Sequence, residues 1–427
     1  MAAGSAAWCD RTVTDTLSSA PSAPSAPSAT AGIDDVPSLA ARVDELSGEG
    51  ALDVFRRAME LEHAGRSIVH LELGAPDVDA PAHVVEAAIA ALRAGDARYV
   101  APQGLPELRE AIAADVRSRG ITADADQVIV TPSAKTAVFY AMLATVEPGS
   151  EVLVPDPGFP IYPSAARFAG GVPVGYALDA GNAPDVDDIA RRIGPRTRVL
   201  CLNSPNNPTG GALDAADMAR LAELVARNDL RVVTDDIYSR LVFDGARAPT
   251  IAAFDGARSR TLLVDGFSKT YAMTGYRLGY LVVPRPWVEP LVTMAVNGHT
   301  CVPPFVQRAG IAALTGPQDM VAAQVAAYRA RRDVLVRGLD ALPGVHCPVP
   351  AGAFYVFPDF STLLAERGLT SREFVDRLLE KHGVAVIDGA AFGRRGEGCV
   401  RISFASAQAD LDAAISRIGD AVAELMG

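Results

Sequence analysis

A chain of 427 residues, 49% of them apolar, is long enough to bury one large core and a smaller second one, because single domains usually run to roughly 100–200 residues. Its 39 basic and 51 acidic residues leave a net charge of −12, a surface that repels phosphate backbones and anionic lipid and argues against a nucleic-acid or membrane-surface role. No stretch approaches the ~20 apolar residues needed to span a bilayer, and the N-terminus lacks the basic-then-apolar order of a secretory signal, so the expected location is the cytoplasm.

Residues 1–35 read as a tail. Its Pro-Ser-Ala repeats, beginning at Pro21, Pro24 and Pro27, cannot bury enough apolar surface to offset the entropy of ordering, so disorder is expected there. From Leu39 a helical pattern begins, with Leu39, Val43 and Leu46 on one face and Leu52, Phe55 and Met59 after them. A short extended run from Ser67 to Leu73 ends at Gly74. Beyond it, helix-length segments alternate with apolar runs at 127–131, 151–155, 197–203, 231–234, 261–264 and 278–283. That alternation is the pattern of a mainly parallel sheet covered on both faces, an α/β domain. A long helical stretch from about 304 to 342 leads into an α+β texture: a strand at 352–358, a helix at 371–382 and a strand at 399–404. The first ordered residues have no sheet-like repeat of their own and are expected to pack with this C-terminal part. The resulting division is 36–76 and 326–427 as a smaller α+β domain and 77–325 as the large one. The cysteines, Cys9, Cys201, Cys301, Cys347 and Cys399, lie far apart without a CxxC pair or clustered histidines, so neither a disulfide framework nor a metal site is expected.

Three segments stand out at the ends of predicted strands. Asp265-Gly266-Phe267-Ser268-Lys269-Thr270-Tyr271-Ala272-Met273-Thr274-Gly275-Tyr276-Arg277 carries one lysine among small and apolar neighbours, surroundings that disfavour an ammonium and favour a nucleophilic amine. Asn203-Ser204-Pro205-Asn206-Asn207-Pro208-Thr209-Gly210 follows an apolar strand, and its prolines fix a turn that directs Asn207 into the crevice at the carboxyl end of the sheet. Asp235-Asp236-Ile237-Tyr238 follows the next strand; an aspartate there is more often than not a helix cap, but it can also pair with a cationic ring nitrogen. A buried lysine, a carboxylate and a set of anion donors are what a pyridoxal 5′-phosphate site requires, with an arginine fork for an amino acid's α-carboxylate.

In order and spacing, NSPNNPTG, DDIY and SKTYAMTGYRLGY resemble the class I aminotransferases of fold type I, the aspartate aminotransferase superfamily, and the resemblance runs from Leu39 almost to the C-terminus. It implies a large domain built on a mainly parallel seven-stranded sheet, a smaller α+β domain, and pyridoxal 5′-phosphate held as a Schiff base on Lys269. It further implies that Asp235 partners the pyridine nitrogen, that Asn207 and Tyr238 donate to the ring's 3-oxygen, and that Arg277 binds the phosphate. Ser133, Ala134 and Lys135 match the phosphate-cup loop at a helix N-terminus, Phe159 the aromatic that stacks on the cofactor, and Arg401 the fork for the α-carboxylate. Gly74 lies in what looks like the loop that closes over the substrate. Tyr99 matches a tyrosine that reaches the phosphate of a neighbouring subunit, which implies a homodimer. Many relatives carry a serine three residues before the lysine; Gly266 stands there, so Ser268 or another donor must compensate. Lys135 occupies a position that in some aspartate-specific relatives meets the distal carboxylate. Ser47-Gly48-Glu49-Gly50-Ala51 lacks the threonine used beside it and adds a negative charge at Glu49, which leaves a dicarboxylate substrate open.

The expected activity is transamination between an L-amino acid and a 2-keto acid by ping-pong kinetics. The same scaffold also hosts elimination, γ-replacement and cyclisation on amino acids such as S-adenosylmethionine, and fold and cofactor site alone do not separate these. A non-catalytic regulator carrying such a domain would need an added basic DNA-reading domain, and only the Pro-Ser-Ala tail precedes the first lobe.

Overall fold

The computed structural model describes residues 38–427 except 47, 49 and 246; the expected disordered tail, Cys9 and Glu49 lie outside the described residues. Ala41–Gly427 form one compact unit. The apolar pattern at its N-terminal end does not become a long helix. Val43 and Leu46 are exposed, on and just beyond a single 3-10 turn at Ala41–Val43. The first helix, α1 (Gly50–His63), buries Val54 and Ala58 rather than the expected row of Leu52, Phe55 and Met59. That buried pair packs with Leu379, Ala385 and Ile387 far along the chain, so long-range partners set the helix face.

After α1 come β1 (Val69–His70), α2 (Ala82–Arg93), α3 (Pro106–Arg117), β2 (Val128–Thr131) and α4 (Ala134–Thr145). The next stretch holds β3 (Glu151–Pro155), α5 (Ile161–Phe168), β4 (Val172–Tyr176), α6 (Val186–Arg192), β5 (Thr197–Asn203), α7 (Ala215–Arg227) and β6 (Arg231–Asp235). Then follow β7 (Thr261–Gly266), β8 (Gly279–Val282), α8 (Arg285–His299), α9 (Pro304–Thr315) and α10 (Asp319–Asp340). The stretch read as one helix is therefore two, broken where Gly316 and Pro317 cannot continue it. The chain ends with β9 (Tyr355–Val356), α11 (Ser361–Glu366), α12 (Ser371–Glu380), β10 (Val384–Ala385), β11 (Ile387–Asp388), β12 (Val400–Ser403) and α13 (Gln408–Met426).

Seven strands form one sheet in the order β2-β8-β7-β6-β5-β3-β4. Neighbours from β7 to β4 are parallel, and β8 runs antiparallel to both β7 and β2. Successive side chains of a strand leave on opposite faces, and here both faces are apolar. Ile129, Val152, Val199, Val233, Leu262 and Leu281 pack under α4, α5 and α8, whereas Val130, Leu263 and Val282 face α3 and α9, and Leu153, Leu200 and Val232 face α6 and α7. Strands buried on both sides cannot alternate polar and apolar residues, which is why they read as continuous β-branched runs.

A second core gathers around the antiparallel order β11-β12-β9 and the parallel pair β1-β10, in which Val69 pairs with Val384. Helices α10, α12 and α13 cover these strands with Leu335, Leu339, Leu378 and Ile418. Leu335 is fully buried there. Leu335→Ala is expected to lower the unfolding free energy by about 2–5 kcal/mol, measured by urea denaturation, because the cavity it leaves is walled by residues held from several elements.

Candidate active site

Strand ends, a helix start and loops from distant parts of the chain meet at one cavity of about 430 Å³. Asn207 comes from the turn after β5, Asp235 ends β6, and Ser268 and Lys269 follow β7. Arg277 just precedes β8, Ser133, Ala134 and Lys135 lie at the start of α4, and Phe159 stands between β3 and α5. Gly74, Tyr238 and Arg401 complete this set of expected residues on the lining. Tyr99 is the exception: it is 87% exposed and does not line the cavity.

The Lys269 amine donates to the Gly74 carbonyl oxygen. Burial pushes its pKa from the usual lysine range down to about 8, assisted by the nearby positive charges of Arg401, Lys135 and Arg277 and opposed by Asp235. The Asp235 carboxyl moves the other way. Burial raises it to about 6, against the hydrogen bonds donated by the Tyr162 hydroxyl and the Ile237 amide, at 2.9 and 3.2 Å. Acid and base are thus drawn toward neutrality from opposite sides, an arrangement typical of sites that move protons near pH 7.

Arg401 shows why its strand reads Val-Arg-Ile-Ser. Val400 and Ile402 enter the second core, and alternation sends the guanidinium to the opposite face, toward the cavity. There it lies between the Tyr355 and Phe392 rings, at 4.7 and 4.9 Å from their centroids, while Nη1 donates to Asn207 Oδ1 at 3.2 Å and Nη2 to the Glu72 carbonyl oxygen. It is 4% exposed, not a solvated edge residue, and its Nε has no protein partner. A buried guanidinium with a donor to spare and its plane fixed by two rings is prepared for an anionic group entering from the cavity.

The opposite corner suits a second anion. Ser133 caps α4 by accepting from the Thr136 amide at 3.0 Å, so the first helical turn faces the cavity with its partial positive charge. The strand beside it must come very close: a methyl group on Gly279 would lie 2.3 Å from the Ala134 nitrogen. Lys135 sits 5.4 Å from the centre of the Phe159 ring. Arg277 takes a left-handed backbone, φ 55°, and donates to the Thr274 carbonyl oxygen at 2.7 Å.

Two residues of the lining carry roles that sequence reasoning missed. Tyr162 belongs to the segment singled out for Phe159, but its bond to Asp235 spans 73 residues. Tyr355 places its hydroxyl 2.9 Å from that of Tyr238 and covers Arg401. It also explains Gly74, where an added Cβ would meet the Tyr355 hydroxyl at 2.3 Å.

A mainly parallel sheet with a buried lysine, a carboxylate and an arginine fork gathered at its carboxyl edge defines the class of protein. The sequence model of the family Aminotransferase class I and II matches residues 66–418, and the chain belongs to that family. It is similar to an aspartate aminotransferase of Rhizobium meliloti (strain 1021), 37% identical over 393 residues that cover 90% of this chain and 95% of that protein. An aromatic-amino-acid aminotransferase of Thermococcus litoralis is 36% identical over 370 residues, covering 85% and 94%. Among solved structures, an aspartate aminotransferase from Rhizobium meliloti superposes with a TM-score of 0.86 at 36% identity, over 91% of this chain and 99% of that one.

A folded-state amine pKa near 8, below the ordinary lysine value of 10.5, means that neutral Lys269 appears as pH rises through about 8. In cofactor-free protein, the rate of reductive methylation at Lys269, followed by mass spectrometry of its peptide, should rise with that midpoint.

Proposed function

We propose that the chain uses pyridoxal 5′-phosphate to move an amino group between an L-amino acid and a 2-keto acid, by a ping-pong sequence in homodimers. The observation that carries this reading is the Lys269 amine, held near neutrality in the same cavity as Asp235 and Arg401. The residues fit that cofactor. The α4 start with Ser133, Ala134 and Lys135, joined by Ser268 and Arg277, would hold its phosphate; Phe159 would cover the ring, Asp235 would face the ring nitrogen, and Asn207 and Tyr238 the 3-oxygen. With Gly266 in place of the serine common among relatives, Ser268 on the cavity lining supports the compensation expected from the sequence.

When bound, the cofactor supplies an aldehyde for the amino group and a ring able to draw electrons from the substrate α-carbon. Arg401 orients the substrate through its α-carboxylate, and the stacked rings of Tyr355 and Phe392 keep that fork from turning away. Lys269 Nζ, its proton affinity lowered by burial, would be the base that takes the proton from the substrate α-carbon and holds it for return. The Asp235 carboxylate, pinned by Tyr162, keeps positive charge at the far end of the site. The Tyr238 hydroxyl, held against Tyr355, is a hydrogen-bond donor that need not reorganise during reaction. Ile161, Ile387 and Phe392 give the cavity apolar walls that would favour a water-poor site once substrate fills it.

We extend the proposal to the domain division of 36–76 with 326–427 against 77–325; the β1–β10 pairing supports joining its first part to its last. The dimer reading rests on the resemblance at Tyr99 and is supported by its ring being exposed and off the lining of its own cavity.

Borohydride treatment of the yellow protein should leave a reduced pyridoxyl group on the peptide containing Lys269, and Lys269→Ala should lower turnover by about 10⁴-fold or more; an unlabelled peptide would sink the proposal. In a panel of amino acids given without a keto acid, those that serve as donors should drive the cofactor spectrum to the half-reaction and the others should leave it unchanged. Mixing inactive Lys269→Ala subunits with weakly active Tyr99→Ala subunits should regain activity, because mixed dimers carry one site with both residues intact; no gain on mixing would count against shared sites.

A further inference from the structure

Behind Asp235, on the sheet face turned away from the cavity, lies a buried charge cluster that the mechanism above does not use. Adjacent residues of an extended strand point to opposite faces, so Asp236 faces α3 while Asp235 faces the cavity. Arg119, two residues past α3, donates through Nη2 to Asp236 Oδ2 and through Nη1 to Asp265 Oδ2 at 3.4 Å. Its side chain is 2% exposed, and its Nε has no partner. Asp236 Oδ1 accepts from Thr234 Oγ1 at 2.8 Å, and Asp265 accepts from the Gly266 amide at 2.7 Å and from Ser239 Oγ at 3.5 Å. Beside them Asp115 accepts from Arg240 and Arg247, at 2.6 and 2.8 Å, with the Tyr271 and Tyr280 phenols in the same field. Three carboxyl groups here meet three guanidiniums; burial raises Asp265 to about 7 with Arg119 opposing the rise, so above that pH the charges balance only while Arg119 is present.

The two aspartates that Arg119 joins sit at telling positions. Asp236 directly follows Asp235, and Asp265 lies in β7, four residues before Lys269. We infer that Arg119 is a positioning residue for the reaction: it ties the β6 end that carries Asp235 to the β7 end that leads to Lys269, and it cancels the negative charge behind that acid–amine pair. This rests on the aminotransferase reading above. The groups facing Lys269 are Arg401, Lys135, Arg277 and Asp235; those facing Asp235 are Tyr162, Tyr238, Cys201, Asp236 and Lys269. None of them stands in for Arg119 on the far face.

The test uses protein reconstituted with pyridoxal 5′-phosphate and reads the pH midpoint of its visible absorbance band, which reports the proton held at the Lys269 nitrogen, rather than activity. Arg119→Met leaves negative charge uncompensated behind the site and should move the midpoint up by about half a unit or more. Asp265→Asn leaves the cation in excess and should move it down. The double variant should return close to the parent, and Arg119→Lys, which keeps the charge, should stay near it. An unmoved midpoint in Arg119→Met, a double variant displaced as far as that single variant, or an upward shift in Asp265→Asn overturns the inference. If Arg119→Met does not fold, Asp265→Asn and Arg119→Lys decide the matter, with the same signs. A parent protein that develops no visible band overturns the cofactor reading itself, and this inference with it.

Discussion

Everything at this site depends on lowering the proton affinity of one buried amine that stands among cations. Lys269 shares its cavity with Arg401, Lys135 and Arg277, and burial, joined by their combined field, lowers its proton affinity. The same three cations suit the site to anions, one at the α4 start and one at the Arg401 fork. Removing positive charge would therefore raise the amine's proton affinity and weaken anion binding together, and the protein gives each cation a fixed partner. Arg401 is tied to Asn207 and the Glu72 carbonyl, Arg277 to Thr274, and Lys135 lies near the Phe159 ring.

Close backbone approach is the second requirement. The cavity is assembled from chain segments that must almost touch, and at Gly74 and Gly279 a methyl group would already overlap Tyr355 or the α4 start. The helix start can face the cavity because β8 passes directly beneath it, and the loop after β1 can meet Lys269 because nothing projects from residue 74. Fixed side chains and tight backbone together make a site organised before anything enters it, which is how electrostatic stabilisation avoids reorganisation at the moment of reaction.

Much of this is legible in the sequence. The buried strands announce themselves as β-branched runs, and the lysine, aspartate and asparagine motifs each follow such a run, so both the sheet and its reactive edge can be placed. Strand β4 escapes because Pro173, Gly175 and a half-exposed edge position dilute the apolar signal. The face of α1 is misjudged because its partners, Leu379 and Ile387, lie more than three hundred residues away and no local period encodes them. Tyr162, Tyr355 and Arg119 are silent for the same reason: each acts through a contact across the fold, and a buried tyrosine or arginine looks like any other until its partner is known. Gly316-Pro317 was a readable break, and the helical period on either side of it masked the signal.

The pairing of Val69 with Val384 also has a bearing on how the protein is made. On the ribosome, β1 emerges early and then waits for more than three hundred further residues before its partner strand exists, while the seven-stranded sheet between them can already close. At elongation rates of roughly 5–20 residues per second the wait is on the order of tens of seconds. During that time α1, whose Val54 and Ala58 pack against residues beyond 350, has no permanent place to dock.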